Sequence, residues 1–188
     1  MTEKKELILQ TALRLFSEQG YEATPTNRIA KEAGVSEGLI FRHFENKEGL
    51  LSAILALGEI RILPHVQPIL SEKKPVKILE RLIDLPAQIV AAEPEFWTLQ
   101  ARLKWLQRQN GTYQPPQYYV DIFAKAVEAF TALDYKKPNE EAQILMLTLD
   151  GLGQSIMMQS TDNQNIMKND SNTEGVISLL KNKYKKQK

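Results

Sequence analysis

Apolar residues recur at three- and four-residue spacing along most of this 188-residue chain, and no segment shows the two-residue alternation of a half-buried strand. In the first segment, for example, Leu9, Leu13 and Phe16 fall on one helical face. The next residues, Gly20 and Tyr21, predict a helix end at which the tyrosine packs back on Phe16. The chain is therefore predicted to be all-α.

Glycine, proline and polar breaks divide the chain into about nine predicted helices. They cover residues 4–19, 25–33, 36–44, 46–63, 75–92, 93–109, 115–133, 138–159 and 171–186. Pro64 and Pro68 are expected to end the fourth helix, because a proline inside a helix lacks the amide donor and clashes with the preceding turn. The polar residues 161–172 are predicted to form a loop between the last two helices.

Composition excludes several classes of protein. The chain has 24 basic and 23 acidic residues, so its overall charge favours no class of partner. The absence of cysteine rules out disulfides, thiolate metal sites and cysteine nucleophiles. No apolar run approaches the length of a membrane span, about 18 residues, and the N-terminus has no signal-peptide pattern. A soluble cytoplasmic protein is expected, with the lysines of the C-terminal tail as a solvated end: Lys181, Lys183, Lys185, Lys186 and Lys188.

Candidate chemistry is sparse. The chain has only two histidines, and His65, between two prolines, has no companion that could share a metal ion. Glu140 and Glu141 are adjacent, but acids in a first helical turn are explained by the helix dipole. No serine sits in a nucleophile-elbow motif. We therefore predict no catalytic residue, no metal and no cofactor.

The stretch AGVSEGLIFRHF, residues 33–44, predicts two short helices joined at Gly34, which is the helix-turn-helix arrangement. Val35, Ile40 and Phe44 are expected to face inward. In such units the second helix enters the DNA major groove, and its N-terminal residues meet the base edges. The remaining side chains face solvent or a partner: Glu37, Gly38, Leu39, Phe41, Arg42 and His43.

The run TNRIAKEAGVSEGLIFRHFENKEGL, from Thr26 to Leu50, resembles the DNA-binding signature of the TetR (tetracycline repressor) family over roughly residues 7–55. The resemblance implies a homodimeric bacterial transcription regulator, usually a repressor, that leaves an inverted-repeat operator when a small molecule binds. It also implies a DNA-binding domain over residues 1–50, with three helices, and a helical effector-binding and dimerisation domain over residues 51–188.

The same resemblance assigns roles to individual residues. Thr26 and Asn27 would lie at the groove edge, and Glu37, Gly38 and Leu39 would lie where bases are read. The backbone-facing positions would be those of Phe41, Arg42, His43 and Lys47. Three residues depart from the family pattern. Phe41 lacks the hydroxyl of the usual tyrosine, and Arg28 replaces a frequent acid and would add a backbone contact. Glu37 replaces a frequent donor, and we expect it to accept from a cytosine amino group.

The helix at 138–159 is apolar around nearly its whole circumference, so it must be buried on several sides. It could be the central core helix of a monomer. Alternatively, it could form a four-helix bundle between two subunits together with the last helix, which offers Val176, Ile177, Leu179 and Leu180. The resemblance favours the dimer.

The helix at 93–109 carries two apolar stripes: Phe96, Leu99, Leu103 and Leu106 on one, and Trp97, Ala101 and Trp105 on the other. The second stripe is either another core contact or one wall of an effector pocket. In the pocket hypothesis it would combine with residues of the following helices, Tyr118, Met146 and Met157, since aromatic residues and methionines suit an adaptable apolar cavity. An uncharged or amphipathic ligand is expected.

Two other functions fit the same pattern. The chain could be a DNA-binding dimer without ligand control, or a helical small-molecule or lipid carrier whose helix-turn-helix is coincidental. A helical enzyme is a weaker third alternative. Operator binding would separate the carrier from both regulators, and ligand-dependent release would separate the two regulators from each other.

Overall fold

A computed structural model describes residues 3–109, 111, 114–161 and 173–185. Within these residues the chain forms nine α-helices and no strand, which confirms the predicted all-α class. The helices are α1 Glu3–Gln19, α2 Thr26–Glu32, α3 Glu37–Phe44, α4 Lys47–Leu70, α5 Pro75–Ala92, α6 Pro94–Gln109, α7 Gln117–Ala132, α8 Pro138–Thr161 and α9 Thr173–Lys185. The loop predicted at 161–172 lies, apart from its first residue, outside the described residues.

The chain divides into two compact units. The first comprises Met1–Arg61 and Glu95–Tyr113, and the second comprises Ile62–Pro94 and Gln114–Lys188. Compactness does not measure which residues bind DNA or a ligand. The predicted boundary between a DNA-binding domain, residues 1–50, and an effector-binding and dimerisation domain, residues 51–188, therefore stays a prediction.

The first unit is built around the start of the chain. Ile8 and Phe16 of α1, Ile29 of α2 and Ile40 of α3 are fully buried. As predicted, the ring of Tyr21 packs edge-on against Phe16, with 5.1 Å between ring centroids. Complete burial of a large aliphatic or aromatic side chain contributes about 1.5–3 kcal/mol, so these residues fix how the first three helices pack.

Helix α6 belongs to this first unit although it lies far along the chain. The guanidinium of Arg102 donates to the Ser17 carbonyl oxygen at 2.6 Å, and the Ser17 hydroxyl donates to the Glu95 carbonyl oxygen at 2.8 Å. On the α4 side, Gly58 lies so close to the Phe96 ring that a Cβ there would overlap it. Helix α6 is thus joined to both α1 and α4.

The predicted end of α4 at its prolines is wrong, because the helix continues through Pro64 and Pro68 to Leu70. Both prolines are exposed, so water can hydrate the carbonyl oxygens that lose their amide partners. On the opposite face, Ile62, Val66 and Ile69 are buried and hold the helix in place. By length and composition, α4 alone among the described helices could cross a membrane, a property that core helices of water-soluble proteins share.

The second unit packs α5, α7, α8 and α9 together. The C-terminal helix is anchored by Tyr184, which is buried and packs edge-on against Phe130 at 5.2 Å between ring centroids. The prediction that the C-terminal lysines are solvated is therefore wrong for two of them. Lys181 forms an ion pair with Asp84 at 2.6 Å and Lys185 forms one with Glu80 at 3.0 Å, because α9 lies along α5.

Candidate nucleic-acid interface

The turn between α2 and α3 is a Schellman motif centred on Gly34, whose φ is +64°. The amide of Val35 donates to the Ala30 carbonyl oxygen at 3.0 Å, and the amide of Gly34 donates to the Lys31 carbonyl oxygen at 3.3 Å. These two bonds satisfy carbonyls at the end of α2 and fix the direction in which the chain leaves it. Glycine is favoured at this position because a side chain disfavours the left-handed conformation.

Helix α3 has one buried face and one open face. Ile40 and Phe44 are buried, as the sequence predicts, whereas Val35, before the helix, is only half-buried. Three of the predicted DNA-binding residues on α3 are exposed: Gly38, Phe41 and Arg42. Three more, Glu37, Leu39 and His43, are half-buried. In helix-turn-helix proteins the open side of the second helix is the side that meets the DNA.

The junction between α3 and α4 is a tight turn. The amide of Asn46 donates to the Phe44 carbonyl oxygen at 2.7 Å, and Glu45 between them has φ +66° and ψ −48°. This is a γ-turn, a strained conformation for a residue with a side chain. The Asn46 side chain then accepts from the Gly49 amide at 2.7 Å and caps α4. A Cβ at Gly49 would overlap the Phe44 carbonyl oxygen, so the two helix ends are in direct backbone contact.

Lys47, in the first turn of α4, is held on an aromatic ring. Its Nζ lies 4.3 Å from the ring centroid of Tyr21 and donates to the Glu22 carbonyl oxygen at 3.4 Å. Burial raises the pKa of the Tyr21 hydroxyl, and the nearby carboxylates of Glu48 and Glu22 raise it further. The cation–π contact and the hydrogen bond orient the lysine while leaving two of its three N–H donors for another partner.

An ion-pair network joins α1 to α2. The carboxylate of Glu32 pairs with Arg14 and, at 3.3 Å, with Arg28, while Arg14 also pairs with Glu18 at 3.2 Å. Arg14 and, to a smaller extent, Arg28 lower the pKa of the Glu32 carboxyl. Arg28 thus has an internal partner, and the backbone contact predicted for it would have to use its remaining guanidinium N–H groups.

The positive charge that is free to meet a phosphate is concentrated on few residues. Arg42 and Lys31 are exposed and make no hydrogen bond or ion pair with any residue that the structure describes. Asn27 is also exposed and has no such partner among the described residues. The first fifty residues contain seven Lys and Arg and eight Glu, so this segment can bind DNA only through such a localised group of donors.

Two of the predicted DNA-binding residues are bonded to each other. The Thr26 hydroxyl donates to Oε1 of Glu37 at 2.6 Å, across 11 residues of sequence. Thr26 begins α2 and Glu37 begins α3, so this bond joins the first turns of the two helices. Sequence reasoning placed both residues at the interface and missed the bond, because its existence depends on the angle between the helices.

The residues predicted to line an effector pocket are divided between the two units, and the pocket stays a prediction. In the first unit, Trp97 is buried and packs edge-on against Phe96, Ala101 is half-buried, and Trp105 is 62% exposed. In the second unit, Met146 is buried, while Tyr118 and Met157 are half-buried. The side chains of Leu103 and Leu106 lie outside the described residues. Gln100 of α6 was not predicted from the sequence to line the pocket. Its side-chain Nε2 is buried and donates to no described residue.

Comparison with known proteins identifies the N-terminal segment. The family described as "Bacterial regulatory proteins, tetR family" matches residues 8–54. The transcriptional regulator AcrR of Shigella flexneri is 48% identical over 60 residues, which are 32% of this chain and 28% of AcrR. The regulator YerO of Bacillus subtilis is 36% identical over 86 residues, 44% of this chain and 30% of YerO. The chain thus spans less than a third of the length of these relatives.

Solved structures resemble the chain over almost its whole length. FadR of Bacillus subtilis in complex with stearoyl-CoA has a TM-score of 0.70 at 18% identity, covering 97% of this chain and 98% of that one. AibR in complex with isovaleryl coenzyme A and operator DNA has a TM-score of 0.65 at 19% identity, covering 94% and 97%. At these identities the likeness establishes the fold.

Proposed function

Because the chain belongs to the TetR family through its residues 8–54, we propose that it is a sequence-specific DNA-binding transcriptional regulator and acts in the cytoplasm as a repressor. The observation that carries the proposal is the helix-turn-helix of α2 and α3, with its Schellman turn and its open α3 face. We propose no enzymatic activity for the chain.

The proposed division of labour follows from side-chain chemistry. Arg42, Lys47 and the α2 residue Asn27 would bind phosphates and set the register on the duplex, since such contacts carry no sequence information. Glu37, Gly38 and Leu39 at the start of α3 would meet the base edges. Phe41 and His43 would pack apolar and aromatic surface against the DNA backbone. Thr26, which donates to Glu37, would lie at the groove edge.

A dimer is proposed because both C-terminal helices carry exposed apolar side chains. Ile144 and Leu147 of α8 are 52% and 61% exposed, and Val176 and Leu179 of α9 are 40% and 69% exposed. Exposed apolar residues on adjoining helices are typical of a contact surface for another chain. Two copies joined by a two-fold axis would present their α3 helices to the two halves of an inverted repeat.

Ligand control is proposed on two grounds. AibR is described with both isovaleryl coenzyme A and operator DNA, and FadR is described with stearoyl-CoA. In this chain Trp97, Ala101 and Trp105 lie on α6, and Arg102 and Phe96 join the same helix to α1 and α4. An apolar or amphipathic ligand that contacts Trp97, Ala101 and Trp105 would therefore act on the unit that carries the helix-turn-helix.

Selection of bound fragments from genomic DNA tests the DNA-binding proposal and supplies an operator for further work. Replacing Arg42 or Lys47 with alanine is then expected to weaken binding to all sequences together, because both side chains would contact phosphates. If each subunit neutralises about three phosphates, the wild-type dimer has a log–log salt slope of about −5, and each alanine reduces it by about 2 per dimer.

Lys136→Ala is the control, because it also removes one positive charge but lies in the second unit. It is expected to leave operator affinity and salt slope unchanged. Recovery of no enriched DNA sequence by the wild-type protein would favour the carrier alternative. An Arg42→Ala variant with wild-type affinity and salt slope would remove Arg42 from the interface.

Tryptophan emission tests ligand control, because both tryptophans of the chain lie on α6. In a Trp105→Phe variant the emission comes from the buried Trp97 alone. Saturated acyl-CoAs of increasing chain length are the probes, with free coenzyme A as the control. A probe that changes this emission is expected to lower operator affinity by about 5–150-fold, the usual range of allosteric coupling. A probe that changes the emission and leaves operator affinity intact would support binding without ligand control.

A further inference from the structure

The hydrogen bond between Thr26 and Glu37 alters the roles of both side chains at the proposed DNA interface. At 2.6 Å it has the usual length of a hydroxyl donating to a carboxylate, which is among the stronger hydrogen bonds in proteins. A threonine hydroxyl has a single proton. While that proton is donated to Glu37, Thr26 has none to donate to a phosphate, and its oxygen lone pairs would face the phosphate charge.

The bond also restricts Glu37. A glutamate at the first position of a helix otherwise samples several rotamers, and fixing one of them costs side-chain entropy. Here Oε1 is held by Thr26 before any DNA arrives, and Oε2 has no hydrogen-bond partner among the described residues. The position at the N-terminus of α3 stabilises the negative charge through the helix dipole.

We propose that Thr26 is a positioning residue, which directs the Glu37 carboxylate to one base pair and makes no phosphate contact of its own. This inference rests on the proposed DNA-binding function. An ionised carboxylate only accepts hydrogen bonds, and in the major groove the donors are the amino groups of cytosine and adenine. The carbonyl oxygens of guanine and thymine would repel it. Glu37 would therefore select against those bases, and it would do so most strongly in the geometry that Thr26 imposes.

Threonine-to-valine is the discriminating substitution, because valine has nearly the same shape and lacks the hydroxyl. Thr26→Val is expected to reduce discrimination at one base pair of each half-site by about 5- to 20-fold, within the range for one base contact. Its affinity for unrelated DNA is expected to stay within about twofold of wild type. Thr26→Ser keeps the hydroxyl and is expected to retain wild-type discrimination.

The measurement is the dissociation constant for the selected operator, for operators with each base pair substituted, and for unrelated DNA. Glu37→Ala completes a double-mutant cycle. If Thr26 acts through Glu37, Thr26→Val has no further effect in the Glu37→Ala background. Circular dichroism melting confirms that each variant is folded.

Two results would overturn the inference. In one, Thr26→Val weakens binding to the operator, to substituted operators and to unrelated DNA by the same factor, and it does so in the Glu37→Ala background as well. That result is expected if Thr26 contacts a phosphate directly. In the other, Thr26→Val leaves discrimination unchanged at every base pair. Failure of the proposed function itself is distinguishable, because the wild-type protein would then select no DNA sequence at all.

Discussion

Replacing both Leu147 and Leu179 with glutamate is expected to convert the proposed dimer to monomers at micromolar concentration and to abolish cooperative binding to an inverted repeat. Both side chains are among the most exposed apolar groups, at 61% and 69%, on the adjoining helices α8 and α9. Burying an unpaired carboxylate costs several kcal/mol, and a two-fold interface contains each substitution twice. A rise of at least about 100-fold in the dimer dissociation constant, about 2.7 kcal/mol, follows.

Light scattering coupled to size-exclusion chromatography measures the mass, and operator binding is measured on whole and half sites. Val120→Glu is the matched control, since Val120 is an apolar residue of α7 that is 46% exposed in the same unit. It is expected to leave the dimer intact. If the variant with both Leu147→Glu and Leu179→Glu remains a dimer, these two helices form no intersubunit contact.

Gly49→Ala is expected to lower the free energy of unfolding by about 2–3 kcal/mol, as overpacking in a tightly packed site does, and to remove specific operator binding. The new methyl group would overlap the Phe44 carbonyl oxygen, which is backbone and cannot rotate away. The γ-turn at Glu45 and the Asn46 cap connect α3 directly to α4, with no flexible loop between the two helices. Relief of the overlap is therefore expected to displace α3, which carries the residues that we propose read the bases.

Gly151→Ala is the matched control for this substitution. It also lies within a helix, and nothing would contact a Cβ placed there. Alanine is expected to stabilise α8 by about 0.5–1 kcal/mol, because glycine is the poorer helix former. Thermal unfolding and operator binding are measured on both variants. Gly49→Ala with wild-type stability and specificity would show that the junction can adjust and that it does not hold α3 in place.

The local features of the site follow from sequence alone. Gly34 predicts the turn, and the four-residue spacing of Ile40 and Phe44 predicts which face of α3 is buried. These predictions hold because they depend on backbone conformation and on the helical period, which neighbouring residues determine. The strain at Glu45 and the requirement for Gly49 were not predictable, since both arise where two helix ends meet.

The sequence by itself determined the all-α class, the number of helices and the position of the helix-turn-helix, because each of these is encoded by periodicity and by residues within one turn. Only the tertiary structure decided that α6 joins α1 and α4 through Ser17 and Gly58, that α9 is paired with α5 through Lys181 and Asp84, and that Thr26 holds Glu37. It also decided that α4 continues through its prolines, since burial of the opposite face compensates for their missing donors. Each of these outcomes depends on the distance and angle between helices that are separate in the sequence, and a linear pattern does not contain that information.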